Sequence, residues 1–586
     1  MENHDLWNQG VAKTQNKWSR IFPIWGHLPG YSAKDYAIDI IAGIVIAVVL
    51  VPETIAYATL AGLPPENGIY TAIVAYLVYA LIGTSRQLVV APVSIMSLMV
   101  GASLGQQAYT PEQYIAAATV LALLVGLILF ILGLFKGGYL ENLLSKPVGL
   151  GFITAGAAIV ATTQLPHLLG IEIHTVSGSL KTIDTWRQLA LHLDQTDWLP
   201  LLIGVAGVVS IQLSKKISPL IPGALINVLI GVAILHFAGG GLNGGRVALV
   251  GPIPGHFPTF SMPWAMQGQT FLNALQSIHI DTLILLAPGI ALVNIIESLS
   301  IAKVMAGRNG DKVDANRELI SIGMANIAAA FFHGYIAAGS LSKTSVSYQA
   351  GSKSPLSGVV AVLVVILTLL FLTPYLYYVP VACLGAIIMV AAYHLFEYGS
   401  IKRTFRLRRS EGWLILATFI LTLVLGVDYG ILAGIVISFG LVIWKTARPR
   451  IYPLGLVPGF SSSYQEVDVQ ELETDKDELI VKIDGPLYFA NANYVEMKLI
   501  NMLAEHKHLR RFILDARALS DIDLSGESVL WELLKILIWR ECDLAIVGAN
   551  KVVLDFTIAS GFHEFLGPTN FYASIDEALK GLKKAG

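Results

Sequence analysis

From about residue 38 to 446 the chain returns repeatedly to apolar runs of about 20 residues. A run of that length spans the ~30 Å hydrocarbon core of a bilayer. Hydrocarbon offers the backbone no partner, so each run must close its hydrogen bonds within a helix. Composition agrees: 54% of residues are hydrophobic and 14% charged, against about 25% charged in soluble domains. The 54 glycines suit helices that pack closely in lipid. The chain is predicted to be an α-helical membrane protein.

Apolar spans begin near Ile38, Gly68, Glu112, Leu199, Pro219, Thr282, Pro355, Tyr377, Trp413 and Val427, with two more at 142–163 and 316–333. The stretches 90–104 and 340–350 are half-length and broken by proline or serine, which brings the total to about fourteen elements. With the amino terminus inside, 19 of the 23 Lys and Arg residues before Ser410 fall in inside segments. Lys181, Arg187 and Arg246 fall outside, and Lys343 falls within the membrane. This asymmetry predicts cytoplasmic termini. Residues 1–37 read as a polar, basic cytoplasmic segment with no apolar core of a cleavable signal. The halves 38–240 and 280–446 each open on a span with a carboxylate and carry a broken third element, the arrangement of inverted-repeat secondary transporters.

After Arg448-Pro-Arg450 the composition changes. Residues 447–463 read as a linker, and 464–586 alternate strand-like and helix-like segments. These are Leu479–Ile483, Tyr494–Glu505, Arg511–Leu514, Gly526–Arg540, Leu544–Val547 and Ile575–Leu582, which predict an α/β domain.

The charges inside the apolar runs carry the functional argument. Lys343 lies in Ser340-Leu-Ser-Lys-Thr-Ser345. A lysine in hydrocarbon costs at least ~2.5–3.5 kcal/mol. Either it reaches the headgroups from a helix end, or it holds an anion among hydroxyls. Glu53 follows Pro52 and stands four residues before Tyr57, on one helix face. It reads either as a proton carrier, since burial favours the protonated acid, or as a structural hydrogen bond beside a proline kink. Glu297, the only charge between Asp281 and Lys303, is the stronger candidate for coupling, with a salt bridge to Lys343 as the structural alternative. Val93 and Ser94 stand where the first broken helix begins. If 92–104 and 340–350 aim their amino termini at one point, free backbone N–H groups and Lys343 form an anion cradle.

Other chemistries find no support. There is no P-loop, His-Glu-x-x-His or Gly-x-Ser-x-Gly motif, and Gly239–Gly245 lacks a strand–helix context. No cofactor or metal is expected. Cys383 and Cys542 are far apart and suggest no disulfide framework. A net charge of −2 gives no reason to expect nucleic acid.

Four stretches carry a family resemblance: Pro52–Tyr70, Thr84–Ser94, Asp314–Leu319 with Gly323 and Asn326, and Gly339–Ser345 with Gly351 and Gly358. Through them the chain resembles the SulP family of anion permeases, also called solute carrier family 26. The resemblance implies fourteen segments in two inverted repeats of seven, a core domain moving against a gate domain, and a homodimer. It implies an anion site at Tyr57, Val93, Ser94, Ser342 and Lys343, with Glu297 as the carboxylate of the eighth helix. Gly485–Asn491 and Asp521–Gly526 are similar to a STAS domain, which implies a cytoplasmic regulator and a possible phosphosite at Ser525; the alternative is that Ser525 caps a helix. Two positions depart from the family: Glu53 stands where glutamine is usual, and Lys343 where arginine is usual. The implied function is uptake of a small inorganic anion, sulfate above all, by proton symport across the cell's inner (plasma) membrane. A sodium-coupled bicarbonate or dicarboxylate carrier and an anion exchanger remain open, as do a channel and a non-transporting sensor.

Overall fold

The computed structural model describes residues 23–24 and 31–585, apart from 106, 144, 172–180, 219, 238–246, 267–269, 458–462, 468–471, 473–474 and 507. Most of the predicted segment 1–37, Gly239–Gly245 and Arg246 therefore lie outside the described residues. The chain divides into two compact units, Met1–Val436 and Ile437–Gly586.

The helices of the membrane part are α1 (Ala33–Leu60), α2 (Pro65–Ile82), α3 (Ser94–Leu104), α4 (Pro111–Leu134), α5 (Lys146–Leu169), α6 (Trp198–Ile217), α7 (Gly223–Phe237), α8 (Ile280–Asn309), α9 (Ala315–Ala330), α10 (Leu341–Gln349), α11 (Leu356–Phe371), α12 (Val381–Leu395), α13 (Arg409–Leu425) and α14 (Val427–Thr446). Local chemistry sets several of the starts. Ser32 and Asp35 form a capping box on α1, and Thr110 and Gln113 form another on α4, whose first residue is Pro111. The Asp314 carboxylate accepts from the amides of Asn316 and Arg317 and opens α9. The positions match the sequence expectation closely. The span expected from Tyr377 begins at Val381 instead, because Pro380 breaks the chain just before it.

Packing divides these helices into two groups. In one, α1, α2, α4, α8, α9 and α11 pack on each other; in the other, α5, α6, α7, α12 and α13 do. The short helices α3 and α10 sit between, with α10 against α1 and α3 touching both groups. The most extensive helix contact is α4 on α9. A Cβ at Gly323 would lie 2.6 Å from the Phe130 amide nitrogen and 2.7 Å from the Gly126 carbonyl oxygen. Small residues permit this backbone contact, which drives association where no hydrophobic effect operates between helices. Gly323→Leu is therefore expected to lower stability by about 3 kcal/mol, read as a fall in the thermal midpoint in detergent. Gly289→Leu, whose Cβ would meet nothing within 4 Å, should leave the midpoint almost unchanged.

The second unit is built on a six-stranded sheet: β3 (Arg450–Leu456), β4 (Tyr464–Glu466), β5 (Glu478–Asp484), β6 (Arg511–Asp515), β7 (Asp543–Val547) and β8 (Phe571–Tyr572), in spatial order β4-β3-β5-β6-β7-β8. Strands β5 to β8 run parallel, and β3 pairs antiparallel with both β4 and β5. Its longer helices are α15 (Ala492–Glu505), α16 (Leu524–Trp539), α17 (Lys551–Ala559) and α18 (Ile575–Ala585). The strand period of two sorts the core. Phe512 and Leu514 face α15 and α16, while Ile513 between them packs with Ile575 and Ala578 of α18. The segment expected to be a linker, 447–463, contributes β3, with Ile451 opposite Ile483. Ser525 does not cap α16: the Asp523 carboxylate accepts from the Gly526 amide at 2.9 Å, and Ser525 is the second residue of the helix.

Candidate functional site

Two breaks in the helical chain meet. Before α3, residues Val90–Ala91 form β1; before α10, Ala338–Gly339 form β2. They pair antiparallel, Val90 opposite Gly339 and Ala91 opposite Ala338. The pairing continues past Val90, with Ser340 N donating to Val89 O at 2.9 Å and Val89 N to Thr344 Oγ1 at 3.0 Å. A two-residue ladder thus brings the starts of α3 and α10 together. A buried amide network fixes β2 in turn: Asn294 Nδ2 and Asn326 Nδ2 each donate to Ala337 O at 2.9 Å, and Gly339 N donates to Ser298 Oγ at 2.8 Å. Asn294 and Ser298 flank Glu297 on α8, so the same network aligns that carboxylate with the broken helices.

Neither short helix has a side-chain cap. The residues before them, Val93 and Ser340, are extended and make no capping bond. The first-turn amides of Ser94–Met96 and Leu341–Lys343 have no intrahelical acceptor, and both positive dipole ends are available to an anion.

Lys343 is wholly buried between these termini. Its Nζ donates to Pro92 O at 3.1 Å and Ser340 Oγ at 3.4 Å, and lies 4.8 Å from the centroid of the Tyr57 ring. Its ionic partner is Glu53, with Nζ 2.9 Å from Glu53 Oε2, in charge contact though off the hydrogen-bond direction. The salt bridge considered from sequence, Lys343 with Glu297, is therefore not the one formed. Glu53 follows Pro52 inside α1. Glu297 stays within electrostatic reach of Lys343, yet its Oε2 is buried with no hydrogen-bond partner among the described residues. Two other carboxylates of this unit are fully engaged. Asp39 accepts from Tyr31, Ser354 and the Lys353 amide, and Glu318 from the Tyr79 and Thr84 hydroxyls.

A cavity of about 480 Å³ opens on this cluster. Glu53, Tyr57, Val93, Ser94, Glu297 and Ser342 line one side, and every sequence-derived site residue of the membrane part is at this cavity except Lys343, which is paired with Glu53. The opposite wall comes from α6, α7 and α12 and includes Lys215 and His394. Sequence reasoning missed both. At the ends of apolar spans they look like interfacial anchors, and no local pattern marks the inward-turned member of the Lys215–Lys216 pair.

In this helical membrane unit two half-helix termini, a buried lysine and two carboxylates converge on one cavity, an arrangement suited to an anion. The comparisons give the chain its family. Residues 37–418 match the sulfate permease family and residues 469–578 the STAS domain, and the chain belongs to that family. It is 32% identical to chloroplastic sulfate transporter 4.1 of Arabidopsis thaliana, over 96% of this chain and 82% of that one. It is 30% identical to a probable sulfate transporter of Mycobacterium tuberculosis, over 93% and 95%. Among solved structures, murine solute carrier 26 family member A9 in the inward-facing state aligns with TM-score 0.86 and 24% identity, over 98% of this chain and 96% of that one. The transmembrane domain of the cyanobacterial bicarbonate transporter BicA aligns with TM-score 0.58 and 22% identity, over 70% and 98%. These two share the fold.

Proposed function

We propose that this chain takes up a small oxyanion, sulfate foremost, together with protons. The observation that carries the reading is the convergence of two uncapped helix amino termini on Lys343, beside the carboxylates of Glu53 and Glu297. The relatives named as sulfate transporters support the choice of anion. The helix dipoles and Lys343 neutralise the substrate, the hydroxyls of Ser94 and Ser342 orient it, and the Tyr57 ring closes the apolar side. Glu297 and Glu53 carry the protons. A carboxylate beside an arriving anion repels it until protonated, so anion and proton enter together.

The group containing α1, α3, α8 and α10 moves as a core against the group containing α5, α6, α7 and α12, in an elevator-like shift that exposes the cavity to one side and then the other. The protein works as a homodimer in the cell's inner membrane with both termini in the cytoplasm, and the STAS domain receives a cytoplasmic regulator. Ser525, in the first turn of α16, is its modification site, where a phosphate gains from the helix dipole.

The test is labelled sulfate uptake into proteoliposomes, acid outside, in competition with bicarbonate and succinate at two pH values and with sodium present or absent. Saturable, sodium-independent uptake that sulfate competes best and the pH gradient drives is expected. Preferential competition by bicarbonate or succinate with a sodium requirement would replace this reading with the rival carrier.

A further inference from the structure

We propose that Lys215 is a second anion-binding cation of this cavity, and that the site takes a doubly charged oxyanion with two protons, one on Glu53 and one on Glu297. This rests on the reading of the site as a proton-coupled oxyanion carrier and adds its charge selectivity and stoichiometry.

Every charged or titratable side chain facing the cavity can be assigned to an element. Glu53 and Tyr57 come from α1, Glu297 from α8, Lys215 from α6 and His394 from α12, while Lys343 of α10 is paired with Glu53. The lining residues from α3 and α7, such as Val93, Ser94, Gly223 and Ala224, are uncharged. Lys343 touches Glu53, and Glu53, Glu297, Lys215 and His394 line the same cavity. Lys215 is distinguished from its neighbour Lys216 by lining the cavity.

With both acids ionised, both lysines charged and His394 neutral, the empty cavity carries no net charge. A dianion entering alone leaves two uncompensated negative charges among these groups, which repel one another. One proton leaves one charge uncompensated, and two restore neutrality. The acids suited to hold them are those already identified: Glu297 has a buried unpartnered oxygen, and Glu53 occupies Lys343 in the empty site as a tethered anion. A proton on Glu53 releases Lys343 to the substrate, and Lys215 meets the substrate from the opposite wall. The empty and the loaded cavity then carry the same charge, so the cycle moves no net charge.

Steady-state accumulation of labelled sulfate in proteoliposomes, with potential clamped by potassium and valinomycin, tests the count. At a pH gradient of one unit, two protons per dianion give about 100-fold accumulation, independent of potential. Glu53→Gln leaves one proton: accumulation falls to about tenfold and drops a further tenfold for each ~59 mV of inside-negative potential. Lys215→Gln should raise the sulfate KM at least tenfold and Lys215→Arg restore it, while Lys216→Gln changes nothing. Wild-type accumulation that is driven by pH but follows the potential overturns the two-proton count and leaves the proton-coupled reading standing. Uptake that ignores the pH gradient overturns both. An unchanged KM in Lys215→Gln overturns the second cation.

Discussion

Lys343→Ala is expected to reduce saturable sulfate uptake by at least about 100-fold, equivalent to ~3 kcal/mol of lost binding in a desolvated site. The substitution removes the one cation between the two helix amino termini and leaves Pro92 O, Ser340 Oγ and Glu53 without their common partner. Folding should survive, because the β1–β2 pairing and the Asn294, Asn326 and Ser298 network do not involve the lysine. The check is uptake alongside the thermal midpoint: a lost transport rate with a retained midpoint is the expected pair. Lys343→Arg keeps the charge and should recover part of the rate, since its planar fork fits the space of an ammonium poorly.

The second large effect belongs to the two acids. In the double variant Glu53→Gln, Glu297→Gln, sulfate accumulation is expected to lose all response to an imposed pH gradient, falling from about 100-fold at one unit to about unity without a potential. Either single variant should fall only part of the way. The asymmetry expected between them follows from geometry. Glu53 must leave Lys343 before the anion can reach it, so Glu53→Gln should also lower the sulfate KM at neutral pH. Glu297 competes with no substrate contact and should change accumulation more than KM.

Much of this was legible because charge in an apolar run stands out. Lys343, Glu53 and Glu297 were identified by the cost of burying them, and the two short segments by their length. The pairing was not legible: helical spacing relates neighbours on one helix, whereas Glu53 and Lys343 meet across α1 and α10, 290 residues apart. Strands of two residues have no periodicity to read, so β1 and β2 were invisible although they set the geometry of the site. Lys215 and His394 were hidden by position, since a cation at a span end is ordinarily an anchor. In the second unit the composition change after Arg448-Pro-Arg450 reads as a linker over 447–463; only the pairing of β3 with β4 and β5 reveals the strand. Ser525 lost its capping role to Asp523, two residues earlier, whose carboxylate is the stronger acceptor.

The central claim is that sulfate and protons cross together through the α3–α10 site. The most direct test is to add sulfate outside proteoliposomes that contain a pH-sensitive dye, with no pH gradient imposed and no sodium present. Sulfate should acidify the lumen in the wild type and fail to do so in Lys343→Ala. Sulfate entry without acidification, or acidification that persists in Lys343→Ala, would contradict the account.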